Sequence, residues 1–220
     1  MNSSTVPNVR SDAPAPERRD PSATRAAIIS AARDSLLEEG YARLSTRRVA
    51  ELANVPLSQI HYHFGSKRQL ILAVLDAENA RLLERQREMF GTPQPLWVRW
   101  ERACDFLDVD IESGYVRILQ EMIAAGWSDP QVAEVVRRMM AGWYGLLAEV
   151  AEREIERGAD FGEFTPGEIA ALMGTPFIGA EELILLGVTE SSLPMRSALR
   201  KVGRILQRLG DQTDGHAPRT

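Results

Sequence analysis

The residues able to do chemistry in this chain are few, and their spacing limits what that chemistry is. There are three histidines and one cysteine among 220 residues. His61 and His63 stand two apart, so on a helix they point to different faces and cannot share one ion, although on a strand they would share a face. His216 lies in a polar tail. Cys104 sits within an apolar helical pattern with no histidine near it in sequence, which reads as a buried structural thiol rather than a nucleophile. No glycine-rich phosphate loop, metal-ligand cluster or triad is legible, so neither a cofactor nor an enzymatic activity is expected. What remains is the run SQIHYHF, residues 58–64, where donors, acceptors and flat rings crowd one short segment. Ser58, Gln59 and Tyr62, with His61 and His63 at the flank, offer what base edges and phosphate groups require.

Such side chains need an element to hold them, and residues 44–68, LSTRRVAELANVPLSQIHYHFGSKR, supply it. Ser45 or Thr46 is a suitable N-cap, and Val49, Ala50, Leu52 and Ala53 follow at helical spacing. Asn54 tolerates the left-handed conformation that ends a helix, and Pro56 suits the start of the next, so a tight turn falls at Asn54 to Pro56. A second helix runs from about Leu57 to His63. It is too short to be stable alone, so Val55, Ile60 and Phe64 must pin it to neighbouring helices. The pattern is a helix-turn-helix with an outward recognition helix. Charge agrees: the segment holds Arg47, Arg48, Lys67 and Arg68 against Glu51, a local +3 in a chain of formal charge -5. A basic stripe on an acidic body gives local, salt-sensitive attraction to a phosphate backbone.

Residues 23–75 resemble the N-terminal DNA-binding domain of the tetracycline-repressor (TetR) family of bacterial transcription regulators. The shared features are an opening helix IISAARDSLLEEGY, then LSTRRVAELANV, then IHYHF followed by GSK and an apolar helix. Asn54 stands where the family usually has Gly, and Pro56 where it often has Ser; neither breaks the turn. The resemblance implies that Arg47, Ser58, Gln59 and Tyr62 approach base edges and that Thr46, His61, His63 and Lys67 hold phosphates. It also places Leu57 where it can meet a thymine methyl.

Around this motif the chain divides by composition. Residues 1–21 are polar and proline-bearing and are expected to form a disordered arm, with Arg18 and Arg19 placed to reach an adjacent minor groove. A first helix, from about Ser22 or Thr24 to Glu39, buries Ile28, Ile29, Ala32, Leu36 and Leu37 and ends at Gly40. A long helix capped by Ser66 reaches Phe90 and links two domains. Further helices are expected at 96–112, 115–126, 129–157, 166–186 and 194–209, separated by turn-rich breakers.

Two features of this larger region point to function. Trp97, Trp100, Phe106, Tyr115, Met122, Trp127, Met139, Met140, Trp143 and Tyr144 concentrate large rings and adaptable thioethers, the materials of either plain core or an apolar ligand pocket. The family resemblance favours the pocket, because a small molecule bound in this domain usually releases DNA. Glu101, Asp105, Asp108 and Glu121 lie among these rings, which allows a cationic lipophile or simply a solvated face. Second, residues 168–186 are apolar almost all round, with Ala171, Gly174 and Gly179 permitting close approach. The last helix adds Met195, Leu199, Val202, Ile205, Leu206 and Leu209. A twofold dimer through these two helices covers both, and presents two recognition helices to a pseudo-palindromic operator. Pro176 is expected to kink or interrupt the first of them.

The sequence therefore implies an all-α protein: a three-helix DNA-binding domain (residues 22–68), a helical ligand-binding and dimerisation domain (69–210) and a disordered tail (211–220). The expected function is a homodimeric repressor released from double-stranded DNA by a small apolar or amphipathic effector; the alternative is a constitutive dimeric DNA-binding protein. A single cysteine, the lack of an apolar leader and the lack of a long uncharged run favour the cytoplasm over secretion or a membrane.

Overall fold

A computed structural model describes residues 20–214, in which every regular element is helical. Nine helices follow one another: α1 Pro21–Arg43, α2 Thr46–Leu52, α3 Leu57–Phe64, α4 Lys67–Phe90, α5 Leu96–Glu112, α6 Tyr115–Gly126, α7 Pro130–Glu156, α8 Pro166–Leu185 and α9 Met195–Asp214. The expected arm lies almost wholly outside the described residues, Arg18 and Arg19 included. Asp20 and Pro21 are its exceptions, since the Asp20 carboxylate accepts from Ser22 N and Pro21 begins α1. At the other end α9 runs through Asp214, four residues into the segment expected as tail.

The turn chemistry explains most boundaries. Gly40 takes φ 79° and breaks the α1 path, after which the chain makes one more turn to Arg43. Asn54 takes φ 51°, the left-handed conformation its short polar side chain tolerates. Ser66 caps α4 by accepting from Gln69 N at 3.2 Å, and Thr165 with Glu168 forms a reciprocal capping box on α8. Pro176 does not interrupt the helix, and α8 continues from Pro166 to Leu185. Only one backbone donor is lost there, and the helix is held by packing on α7. Gly174 is buried so close to α7 that a Cβ would stand 2.7 Å from Tyr144 Cε1.

The core is continuous from the N-terminal helices into the body. Ile28, Leu36, Val49, Ile60, Phe64, Leu70 and Val74 share one buried cluster with Tyr115, Val116 and Leu119 of α6 and Val132 and Met139 of α7. A second cluster joins α5, α8 and α9 through Trp100, Leu107, Phe177, Leu199 and Leu206. Inside it Trp100 Nε1 donates to Leu199 O at 2.7 Å, while Arg196 and Arg200 of α9 pair with Asp108 and Asp105 of α5. The apolar stripe of α9 is thus largely consumed within the chain. Leu199 and Leu206 are buried, Met195 and Val202 pack beside them, and Ile205 is left 57% exposed. Gly174 likewise serves an intrachain contact, whereas Ala171 lies open on α8.

Candidate functional site

The first site is the outward side of the helix-turn-helix. Ile60 and Phe64 anchor α3 in the core with Leu57 packed partly against it, so the opposite side of a two-turn helix must face water. Tyr62 is 76% exposed there, Ser58 and His61 are exposed, and Gln59 and His63 are half-buried. Arg47 projects freely from α2; Arg48 lies 3.8 Å from Glu51 across one helical turn. Thr46, at the start of α2, is half-buried. Lys67 is partly engaged already, since Nζ donates to Ala42 O at 3.3 Å and lies 5.9 Å from the centre of the Tyr41 ring. Ser58, His61, Tyr62 and Arg47 therefore share an open, polar surface around α3, and Leu57 contributes more to packing than to that surface.

The second site is a cleft between α4, α5, α6, α7 and α8, with about 650 Å³ of free space including its open mouth. Five of the rings and thioethers singled out in the sequence line it: Trp100, Phe106, Tyr115, Met140 and Trp143. The others do not. Met122 and Met139 are buried in the core beneath the DNA-binding helices, Trp97 packs on the α5–α9 cluster, and Tyr144 turns its hydroxyl to Thr175 at 3.1 Å. Trp127 stands at the α6–α7 corner, 83% exposed. Helical spacing gave these residues a common element but not a common face.

The polar groups of the cleft differ from those anticipated. Asp105 and Asp108 pair with α9, Glu101 is exposed, and Glu121 accepts from Tyr41 N at 2.6 Å. In their place the walls carry Asp110 and Glu181. One Arg85 nitrogen lies 2.6 Å from both Asp110 oxygens, and the Arg85 guanidinium covers the Phe106 ring at 4.3 Å. Burial raises the Asp110 carboxyl even so, against the pull of Arg85. Burial pushes Glu181 up to about 8, with Asp110 adding to the rise and the Gln120 amide opposing it. Its Oε2 is buried with no hydrogen-bond partner. Burial also raises the Tyr115 phenol, which stays neutral. Nearby, Gln86 accepts from Trp143 Nε1 at 2.8 Å. The sequence did hold a signal for Glu181: an acid inside EIAALMGTPFIGAEELILL has almost nowhere solvated to go. Cys104, buried in the α5–α9 cluster, has its thiol pushed up to about 11 by burial and is inert.

The two sites are physically joined. Tyr115 lines the cleft, and the residues before it touch α1: Arg33 donates to Ser113 O at 3.0 Å, and Gly114 lies against Leu37. Arg117 donates to Leu37 O, and Arg68, one residue from Lys67, pairs with Asp129 at 2.9 Å before α7. At the far end of α4, buried Arg99 donates to Phe90 O and pairs with Glu154 of α7.

A short recognition helix set outward on a helical body defines a helix-turn-helix DNA-binding protein, and comparison with known proteins makes the class more particular. Residues 28–74 match the profile of the bacterial regulatory proteins of the tetR family. An HTH-type transcriptional regulator of Mycobacterium tuberculosis is 28% identical over 198 residues, 85% of this chain and 96% of its own. The regulator UidR of Escherichia coli is 25% identical over 152 residues, 65% and 70% of the two chains. Among solved structures, a TetR-family regulator from Rhodococcus superposes with a TM-score of 0.72 at 22% identity, over 84% of this chain and 98% of the other. Residues 28–74 thus carry the DNA-binding domain of the tetR family, and the chain as a whole is similar to TetR-family transcriptional regulators.

Proposed function

We propose that the protein is a homodimeric repressor that leaves a pseudo-palindromic operator when a small amphipathic molecule occupies the cleft. The observation that carries this reading is the short mechanical route between the two sites. Tyr115 forms cleft wall, and Ser113, Gly114 and Arg117 bear directly on α1, which shares its core with α3. A molecule wedged between α4 and α8 favours one position of the α6 start, and α1 must follow. The link that α4 makes between the two domains is thus joined by a second route through α6. The change in DNA affinity is bounded by the difference in the molecule's affinity for the two arrangements.

Dimerisation is supported by what the single chain leaves uncovered. Leu172 and Leu186, fourteen positions apart and therefore on one side of α8, are 58% and 73% exposed, and Ile205 of α9 lies open as well. A partner's α8 and α9 would cover them. The exposed Arg47, Ser58 and Tyr62 would meet bases and the exposed His61 a phosphate; the family resemblance adds the half-buried Gln59 toward bases and Thr46, His63 and Lys67 toward phosphates. Among the described residues no helix is long and apolar enough to cross a membrane, consistent with action on cytoplasmic DNA.

Mobility-shift assays on the protein's own upstream region test operator binding. A thermal-shift screen of a broad small-molecule library tests the rest: compounds that raise the melting temperature should lower DNA affinity. A library without one such compound would leave a constitutive dimeric DNA-binding protein.

A further inference from the structure

We propose that the molecule held by the cleft is an amphipathic organic cation, its ammonium or quaternary nitrogen against the Glu181 carboxylate and its apolar body along Phe90, Trp100, Leu147 and Met173. The proposal rests on reading the cleft as the effector site and deepens that reading.

Glu181 is the group that calls for a partner. Its Oε2 is fully buried and unbonded, on a wall otherwise made by Met173, Phe177 and Ile178 of the same helix. A carboxylate held there without compensation is disfavoured, so the empty site keeps the proton. Among the described residues, no basic group lines the cleft beside it. Arg85 of α4 gives one guanidinium nitrogen to Asp110 of α5 while its Nε is unpaired; α6 brings only neutral groups, Tyr115 and the Gln120 amide, which donates to Ile178 O and opposes the rise at Glu181 without cancelling it; α7 lines the cleft with Met140, Trp143 and Leu147.

Counting charge then fixes the sign of the ligand. Arg85 and Asp110 cancel, which leaves Glu181 as the one uncompensated acid of the cleft, and one positive charge neutralises it. An anion would meet two carboxyl groups instead. The rings of Trp143, Phe177 and Tyr115 line the same cleft, and a ring face within reach of a cation adds to its attraction. A second apolar cleft, about 430 Å³ counting its open mouth, shares Phe90, Trp100, Leu147 and Met173 with the first and continues to Phe161 and Ile169. The polar chamber suits a head group and the apolar one a hydrocarbon or aromatic tail.

Binding is therefore coupled to loss of a proton. The cation selects the ionised carboxyl, whose fraction falls about tenfold for each pH unit below the empty-site value near 8. Affinity should rise from pH 6 to pH 8 and then level off.

The test uses the full chain with benzyltrimethylammonium and its uncharged carbon isostere, neopentylbenzene, titrated by calorimetry and tryptophan fluorescence from pH 6 to pH 9. The cation should bind at least about tenfold tighter than the isostere at pH 8, and lose about fiftyfold between pH 8 and pH 6. Calorimetry in two buffers of different ionisation heat should show close to one proton released at pH 7, a result that needs no variant. In Glu181→Gln the preference and the proton release should vanish while neopentylbenzene binds as before. Equal, pH-independent binding of the two compounds would overturn the cation and leave the cleft an effector site. Binding of neither would also overturn it, and the effector reading would then be decided by the library screen: neutral compounds that release DNA keep it, and none ends it.

Discussion

The readout surface and the cleft are built from similar residue types under opposite rules of solvation. Around α3 the polar groups stay in water until a partner displaces it: Tyr62, Ser58, His61 and Arg47 are exposed. In the cleft the polar groups have already left water, and each one is either bonded, as Asp110 is to Arg85, or orphaned, as Glu181 is. A surface of the first kind gains affinity from added contacts and loses little stability by mutation. A site of the second kind holds its selectivity as a standing cost in the folded protein.

Substitutions at the two ends should therefore register in different measurements. The largest effect is expected from Gln59→Ala combined with Tyr62→Ala. Lost base contacts of about 1–3 kcal/mol each reduce operator affinity by roughly 100-fold or more in mobility-shift assays, with the melting temperature little changed. Full retention of binding would remove α3 as the reader. Gly114→Ala strikes the joint between the sites. Gly114 has φ 78°, and a Cβ there would stand 2.2 Å from Leu37 Cδ2, so a loss of about 2–4 kcal/mol is expected in denaturant unfolding.

At the cleft, Glu181→Gln should stabilise the empty protein. The folded acid titrates near 8, far above the ordinary carboxylate range, so its protonated form gives stability that is present in acid and lost as pH rises through about 8. The variant should melt several degrees higher than the native chain at pH 8.5, with the gap closing toward pH 5. An equal gap at all pH values would mean that the carboxyl is not held protonated. The smallest effect belongs to Arg68→Ala, whose pair with Asp129 is half-exposed and should contribute no more than about 1 kcal/mol to unfolding.

This contrast also separates what the amino-acid order discloses from what it conceals. The helix-turn-helix was legible because its determinants are local: Asn54 ends one helix, Pro56 opens the next, and Ile60 with Phe64 fixes which side is hidden. Boundaries from Leu96 to Leu185 were legible for the same reason, caps and breakers being short-range. The cleft was only half legible. Trp100, Tyr115 and Trp143 point into it while Trp127 and Trp97 do not, and which way a ring faces depends on neighbours far away in sequence. Asp110 and Glu181 went unrecognised in favour of Asp105 and Asp108, which α9 claims. The apolar faces of α8 and α9 were visible, but not how much of them the chain itself covers: α5 takes Leu199 and Leu206, and α7 takes Gly174.

The buried cluster that runs from Ile28 through Phe64 to Val116 and Val132 has a consequence for how such a protein can be taken apart. A fragment cut after α4 would expose the flank of α1 and α4 on which α6 and α7 now lie, and would tend to stick to itself. The reading head is not a detachable module. Grafting a new DNA specificity onto this body calls for changes on the water-facing side of α3 alone, because any exchange of whole helices must carry the matching surface of α6 and the first turns of α7 with it.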